Sequence, residues 1–279
     1  MRAREPEGKS SFLQDITVIR IATRTILANA RSILKALVHR PRRICAMCDN
    51  NVLTFLPYKG GNAHAPQVVF SAGIIGSDLD NFSCPRCWAT DRERHLLLYM
   101  RQLGMIEELG DARVLHFAPE RRLSEIIRSQ KPAIYLRGDL YPNLPDITRL
   151  DMESIEAEDS SFDLVIANHV LEHVNDDLKA LAELYRVLDR GGCAILQTPF
   201  AANNAVTKED ASRATDEASR LELYGQEDHV RLFGKDIFER FSSVGFVSEV
   251  AEHASILGNI DALVYGVNEQ EPFMLFRKP

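Results

Sequence analysis

Residues 161–192 read SFDLVIANHVLEHVNDDLKALAELYRVLDRGG. The apolar run Leu164 to Ala167 is too short for a helix and suits a buried strand. An amphipathic helix is predicted next, with Leu178, Leu181, Ala182, Leu184, Tyr185 and Leu188 at helical spacing. Asp189-Arg190-Gly191-Gly192 then places glycine where a helix stop is expected. A second apolar run, Cys193 to Leu196, begins at once. The segment therefore reads as one strand–helix–strand unit of a parallel sheet, because parallel neighbours need a helical crossover.

At 279 residues the chain can hold one large domain and a small module. With 45% hydrophobic and 26% charged residues it reads as a soluble globular protein. No apolar run approaches the roughly 18 residues of a membrane span. The net charge of -7 weighs against a nucleic-acid binder, yet it is uneven. Residues 1–43 carry ten Lys/Arg against three Asp/Glu, while residues 111–279 carry 18 against 30. A basic arm on an acidic body suggests an interaction segment. Within that arm, residues 11–39 place Ile16, Ile19, Ile26 and Ile33 near helical spacing, with Arg20, Arg24, Arg31 and Lys35 on another face. Such a helix can pack on the protein, make a homodimer contact, lie on an anionic membrane or target an organelle. The start shows no cleavable signal pattern, so a reducing cytoplasm is the expected compartment, with peripheral membrane contact as a variant.

Four of five cysteines form two CxxC pairs, Cys45/Cys48 and Cys84/Cys87, with 35 residues between them. Two such knuckles supply a closed tetrahedral thiolate set, which suits a structural Zn2+. A redox pair and incidental cysteines are the alternatives. Cys193 lies in a predicted strand, where a small apolar side chain suits packing. The runs Val52 to Leu56 and Val68 to Phe70, around Gly60-Gly61, are expected as short strands of a zinc-ribbon-like module over 44–90. Thr90 and Glu93 form a capping box that opens a linker helix over 91–103. Its apolar stripe is Leu96, Leu97, Tyr99, Met100 and Leu103.

The main domain, 91–279, begins its sheet at Arg113 to Phe117, with a turn at Ala118-Pro119-Glu120 into a helix near Arg121. A second strand, Ile134 to Leu136, leads to Gly138-Asp139-Leu140. An acid at the end of the second strand accepts both ribose hydroxyls in nucleotide-binding α/β folds, and Asp139 has the spacing that geometry requires. A surface-turn acid is the alternative. A third short strand ends at Asp151. After Gln197-Thr-Pro-Phe200, the charge-dense segment of about 200–233 reads as a lid over the acceptor or as a solvated helix. Residues 226–234, QEDHVRLFG, hold two candidate catalytic residues: His229, with a pKa near neutral, as general base or acceptor-orienting group, and Arg231, which suits an acidic acceptor. His229 can equally serve only to tie the lid down. A helix over Lys235 to Ser243, a sixth strand after Gly245-Phe246, the run Ala262 to Tyr265 and a last strand, Phe273 to Phe276, close the chain. His169-Val-Leu-Glu172-His173 also matches the inverted zinc-protease pattern HxxEH. That pattern needs its ligands on one continuous helix, whereas His169 directly follows a strand, so the protease reading is set aside.

The stretch 161–192, together with VLHFAPE at 114–120 and the CPRC neighbourhood, resembles class I S-adenosylmethionine-dependent methyltransferases of the type 11 kind. More narrowly, it resembles their HFAPE variant with a cysteine-rich N-terminal module, over about residues 84–279. The resemblance implies a Rossmann-like α/β fold: a seven-stranded, mostly parallel sheet with helices on both faces, preceded by a zinc module. It implies cofactor contacts from Phe117, Ala118, Pro119 and Glu120, with Glu120 accepting from the cofactor's amino group. Asp139 and Leu140 would meet the ribose, Asp151 and Met152 the adenine, and Asn168 and His169 the methionine portion. The family's Asn/Asp-Pro-Pro-aromatic motif for amino acceptors is replaced by Asn168-His-Val-Leu. That favours the hydroxyl of a small molecule or glycan as acceptor. An RNA acceptor is the second reading, given the zinc module and basic arm, and a non-catalytic S-adenosylmethionine-binding protein is the third.

Overall fold

The structure, a computed structural model, describes residues 43–279. The segment 11–39, with its packing, dimer and membrane readings, lies outside the described residues. β1 (Arg43–Ile44) and β2 (Asn51–Val52) pair antiparallel around the first cysteine knuckle. Of the two runs expected as strands, the first is extended only at its ends: Val52 lies in β2 and Leu56 bridges Ser83. The second is helical. Val68 to Phe70 belong to α1 (Gln67–Ser71), a single turn entered from Pro66 and ended by Gly73 at φ 61°. Proline has no N–H to leave unpaired at a helix start, and glycine takes the left-handed exit without strain. β3 (Ile74–Ile75) follows. α2 (Asp91–Gln102) opens on the expected capping box: the Thr90 hydroxyl accepts from Glu93 N, and the Glu93 carboxylate accepts from Thr90 N at 2.8 Å. Leu96, Leu97, Tyr99 and Met100 are buried, whereas Leu103 is exposed.

The main domain runs β4 (Arg113–Phe117), α3 (Arg121–Ser129), β5 (Ile134–Asp139), β6 (Thr148–Arg149), β7 (Phe162–Ala167), α4 (Asp177–Val187), β8 (Leu188–Ile195) and β9 (Phe200–Ala201). It ends with α5 (Glu217–Tyr224), α6 (Ile237–Ser242), β10 (Val247–Ser248), α7 (His253–Leu257), α8 (Ala262–Tyr265) and β11 (Leu275–Arg277). Seven strands join in the order β10-β11-β8-β7-β4-β5-β6. The five from β6 to β8 are parallel; β11 runs antiparallel to β8, and β10 antiparallel to β11. This is the expected Rossmann-like sheet. Successive strand residues point to opposite faces. Val114, Leu164, Ile166 and Ile195 face one core with α2, Leu123 and Ile127 of α3, and the cysteine module. Leu115, Val165, Ala167 and Ala194 face the other, with Leu181 and Leu184 of α4 and Phe241 of α6.

The crossover of 161–192 is present, but its stop differs from expectation. Leu188 is already extended at φ −75° and ψ 137°, so α4 passes into β8 with no glycine cap. Gly191, at φ 77°, and Gly192 lie inside β8, on the strand whose register against β7 shifts between Phe162 and Leu164. A Cβ on Gly192 would sit 2.9 Å from the carbonyl oxygens of Asp163 and Asp189. The glycines therefore serve a bulge rather than a helix end. Leu178 and Ala182 are exposed, and the buried stripe is Ala180, Leu181, Leu184 and Val187. The run at Ala262–Tyr265 is a helical turn capped by Asp261.

No break in the core marks residue 90. Val52, Phe55 and Cys45 share one apolar cluster with Leu97, Val114 and Ile166. Arg94 is fully buried and donates to the carbonyls of Asn81, Phe82, Ala89, Tyr265 and Gly266 while lying 3.8 Å over the Phe55 ring. β3 pairs antiparallel with β9, and Ala72, Tyr224 and Leu232 pack beside that pair. The cysteine module and the 200–233 segment thus touch each other over the carboxyl end of the sheet. Among the described residues, no helix is long and apolar enough to cross a membrane.

Candidate functional site

Parallel α/β sheets bind ligands outside the carboxyl ends of their strands, where chain direction reverses on either side of β4. Here the tips of β4, β5 and β7 meet. Ala118 stands at φ 44°, unusual for a residue with a side chain, and its N–H donates to Gly138 O at 2.8 Å. The kink turns the chain across β5 and lets Glu120 point back over the sheet. The two carboxylate oxygens of Glu120 accept from Asn168 Nδ2 at 2.5 Å and lie 2.9 Å from His116 Nε2. His116 Nδ1 in turn lies 2.9 Å from the Tyr135 hydroxyl. Asp139, at the end of β5, accepts from Tyr141 N at 2.7 Å and is half-buried. Asp151 accepts from Glu153 N at 2.9 Å and is exposed; Met152, beside it, is buried. Phe117 is buried in the core and Leu140 is exposed.

Past β7 the chain reaches Asn168 and His169, the latter at φ 55° with its N–H donating to Gln197 O at 2.7 Å. Residues 169–173 form turns, not a helix, as the reading of the HxxEH pattern required. The His169 ring is buried between Glu172 Oε1 (3.3 Å from Nδ1) and Glu271 Oε1 (3.5 Å from Nε2). Burial works against its charged form, and Arg92 does too, but the two carboxylates prevail and its pKa is raised. Burial likewise opposes the Glu172 carboxylate, yet His169 and the neighbouring imidazoles hold it down to about 2.

A cavity of about 180 Å³ opens beside His169. Its walls come from the cysteine module (Tyr58, Lys59, Leu79), from Arg92, and from the 200–233 segment (Tyr224, Glu227, His229). Lys59 and Glu227 join the two walls at 2.7 Å. His229 is buried, and burial lowers its pKa to about 4, so the ring is neutral at pH 7. Arg231 does not face this cavity. Its guanidinium, 2% exposed, donates to the carbonyls of Leu171, Val174 and Asn175 and to Glu209 at 2.6 Å. The expectation that it holds an acidic acceptor is corrected: every arm is spent on the chain itself. Glu172, His173, Arg92 and Glu271 belong to this neighbourhood and were not singled out as site residues. HxxEH was the one visible signal for the first two.

The four module thiols are gathered, with sulfurs within 4.8 Å of one another and none in a disulfide. The two knuckles repeat one geometry. Asp49 N donates to Cys45 O at 2.8 Å and Trp88 N to Cys84 O at 2.9 Å, with Asp49 and Trp88 both left-handed at φ 54° and 65°.

Residues 101–196 match the family described as a methyltransferase domain. No curated protein matches the chain. Among solved structures, an S-adenosylmethionine-dependent methyltransferase from Mesorhizobium loti is 17% identical, with a TM-score of 0.46 over 64% of this chain and 96% of its own. The YcgJ protein from Bacillus subtilis is 16% identical, with a TM-score of 0.40 over 64% and 99%. A 1,6-didemethyltoxoflavin-N1-methyltransferase from Burkholderia thailandensis is 14% identical, with a TM-score of 0.41 over 65% and 78%. The fold rests on the strand order above rather than on these distant likenesses. With that sheet and the matched segment that spans β4 to β8, the chain carries a methyltransferase domain, whose class of chemistry is S-adenosylmethionine-dependent methyl transfer.

Proposed function

We propose that the chain methylates a hydroxyl of a small molecule, held in the cavity between the cysteine module and the lid. The cavity carries this reading. Its volume is close to the roughly 150 Å³ that encloses a single six-membered ring. Aromatic and aliphatic side chains such as Tyr58, Ile74 and Tyr224 dominate it, with a few polar groups to orient a ligand. A small, mainly apolar pocket suits a ring or a single sugar better than a nucleic-acid strand, which needs a basic groove along its backbone.

The strand tips suit S-adenosylmethionine. Asp139 keeps one carboxylate oxygen unbonded among the described residues, as a ribose acceptor needs. The Ala118 turn brings backbone close to the tip, and Asp151 with Met152 edges the place of the adenine. Bound there, the cofactor supplies an electrophilic S-methyl group. Glu120 fixes the amide of Asn168 and the ring of His116, so these groups are set before a ligand arrives. His169 lines the cavity next to Asn168, so the acceptor is held beside the cofactor's methionine end.

The thiol cluster fits a structural Zn2+. Bonds of about 2.3 Å in a tetrahedron place sulfurs about 3.8 Å apart, and Cys45 and Cys87 stand at 3.6 Å. Four thiol ligands leave no open position, so this metal would hold the module that walls the cavity. A labelled-methyl transfer screen against phenols, alcohols, glycans and RNA tests the reading. Label in a small hydroxyl compound is expected, and label confined to RNA would refute it.

A further inference from the structure

The cavity wall around His229 hides a cluster that methyl transfer alone does not account for. Glu172 is 1% exposed, and neither carboxylate oxygen has a hydrogen-bond partner among the described residues. His229 Nε2 is buried and unpartnered as well. Glu172 Oε1 lies 3.9 Å from His173 Nε2 and 4.0 Å from His229 Nε2. One ligand atom from each of the three residues lies within 4.8 Å of the others. We propose that Glu172, His173 and His229 bind one divalent cation, separate from the thiol cluster, with an open coordination position turned toward the acceptor cavity.

Four observations converge on this assignment. A buried carboxylate with both oxygens unbonded is costly, and a cation placed among these atoms would satisfy it. With two edges of 3.9 and 4.0 Å and the third no longer than 4.8 Å, the point equidistant from the three atoms lies about 2.3–2.5 Å from each, a few tenths of an ångström beyond ordinary metal–ligand lengths. A proton on an imidazole would also balance Glu172. The His169 ring stands nearest, with Nδ1 3.3 Å from Glu172 Oε1, and offsets part of that charge, yet no N–H is aligned on either carboxylate oxygen, so both stay open to a metal. His173 is oriented from behind: its Nδ1 lies 3.2 Å from Asp228 O and 3.4 Å from the Asp228 carboxylate, the outer support that metal-bound imidazoles have.

The fold also explains why residues so far apart in sequence meet. Val230 N donates to Glu172 O at 3.0 Å, and the arms of Arg231 grip Leu171, Val174 and Asn175. The loop carrying His229 is thereby locked onto the turn carrying Glu172 and His173. Two imidazoles and a carboxylate with open positions suit Zn2+, Fe2+ or Mn2+, unlike the closed thiol set. His229 lines the cavity, so an exchangeable position there can take an oxygen of the acceptor. That last step rests on the methyl-transfer reading, whereas the cation site does not.

Mn2+ titration of the full chain, read by the loss of the free-ion paramagnetic resonance signal, tests it. Manganese favours oxygen and nitrogen ligands over thiolates, so the cysteine cluster does not compete. One Mn2+ per chain is expected. Glu172→Gln and His229→Ala are each expected to weaken it by about 100-fold or more. Because Glu172 is buried, His173→Asn, at a half-buried side chain, carries the test if Glu172→Gln fails to fold; a circular dichroism melt decides that. Wild-type protein that binds Mn2+ no tighter than these variants would overturn the site. Intact Mn2+ binding with no methyl transfer to any acceptor would leave the site standing and count against the transfer reading.

Discussion

Replacing Arg94 by Met removes the guanidinium that joins the cysteine module to the end of the chain. The perturbation is selective, because methionine keeps much of the volume but none of the donors. Five carbonyl oxygens on three segments then lose their partner: Asn81 and Phe82, Ala89, and Tyr265 and Gly266. Hydrogen bonds from a charged donor contribute about 1.5–3 kcal/mol each when solvated alternatives exist, but they do not add within one group. The cost of burying the cation offsets part of the gain, and burial indeed lowers its pKa. Methionine leaves these buried carbonyls without a donor, at about 1–3 kcal/mol each and less than additively, so a total of about 3–5 kcal/mol is expected. For a domain of this size that corresponds to a fall in Tm of roughly 6–20 °C. Arg94→Lys keeps the charge and up to three donors and is expected to recover part of the loss. Calorimetric melts of the three proteins measure it. A melt of Arg94→Met within about 2 °C of wild type would refute the claim that this side chain couples the two ends.

Three other outcomes follow from the same structure. Asp91 is buried with one carboxylate oxygen unpaired, and burial raises its pKa to about 6 despite Arg92 and Arg94. A raised carboxyl stabilises the fold below its unfolded pKa and loses that contribution as pH rises, so about 3 kcal/mol should disappear between pH 4 and pH 6. Asp91→Asn should flatten that slope in denaturant titrations at several pH values, and an unchanged slope would sink the assignment. Cys84→Ser is expected to lose one zinc equivalent and to expose residues 44–90 to limited proteolysis; full zinc retention on metal analysis would contradict the tetrathiolate reading. Asp139→Ala should weaken S-adenosylmethionine binding by about 10- to 100-fold in calorimetry with little change in Tm, since the side chain is half-buried and bonds only Tyr141 N. Equal affinities would remove Asp139 from the cofactor site.

The strands of the central sheet were legible because their signal is local. Arg113 to Phe117 and Leu164 to Ala167 are short apolar runs between polar turns, and both lie in strands. The helix at Val68 to Phe70 was not, because its β-branched residues favour a strand locally, while the packing of Ala72 and Val68 against Tyr224 decides the outcome. The stop after α4 was misread for a related reason. Glycines past a helix resemble a cap, and only the pairing of β8 with β7 shows that they are needed within the strand.

The block at 226–234 shows the same limit at the level of chemistry. Its density of polar groups marks it as functional, with His229 read as a candidate base or acceptor-orienting group and Arg231 as a holder of an acidic acceptor. The structure separates them. His229 borders the cavity, while Arg231 turns inward and binds the carbonyls on both sides of Glu172 and His173. A sequence records that an arginine is present but not which way its fork points, and here the direction changes its role from holding substrate to holding the loop. The same grip brings His229 to the HxxEH turn. That pattern was rightly refused as a helical protease motif, since His169 follows a strand. It becomes meaningful only with a third side chain supplied from 56 residues beyond His173, through a contact that no local periodicity could reveal.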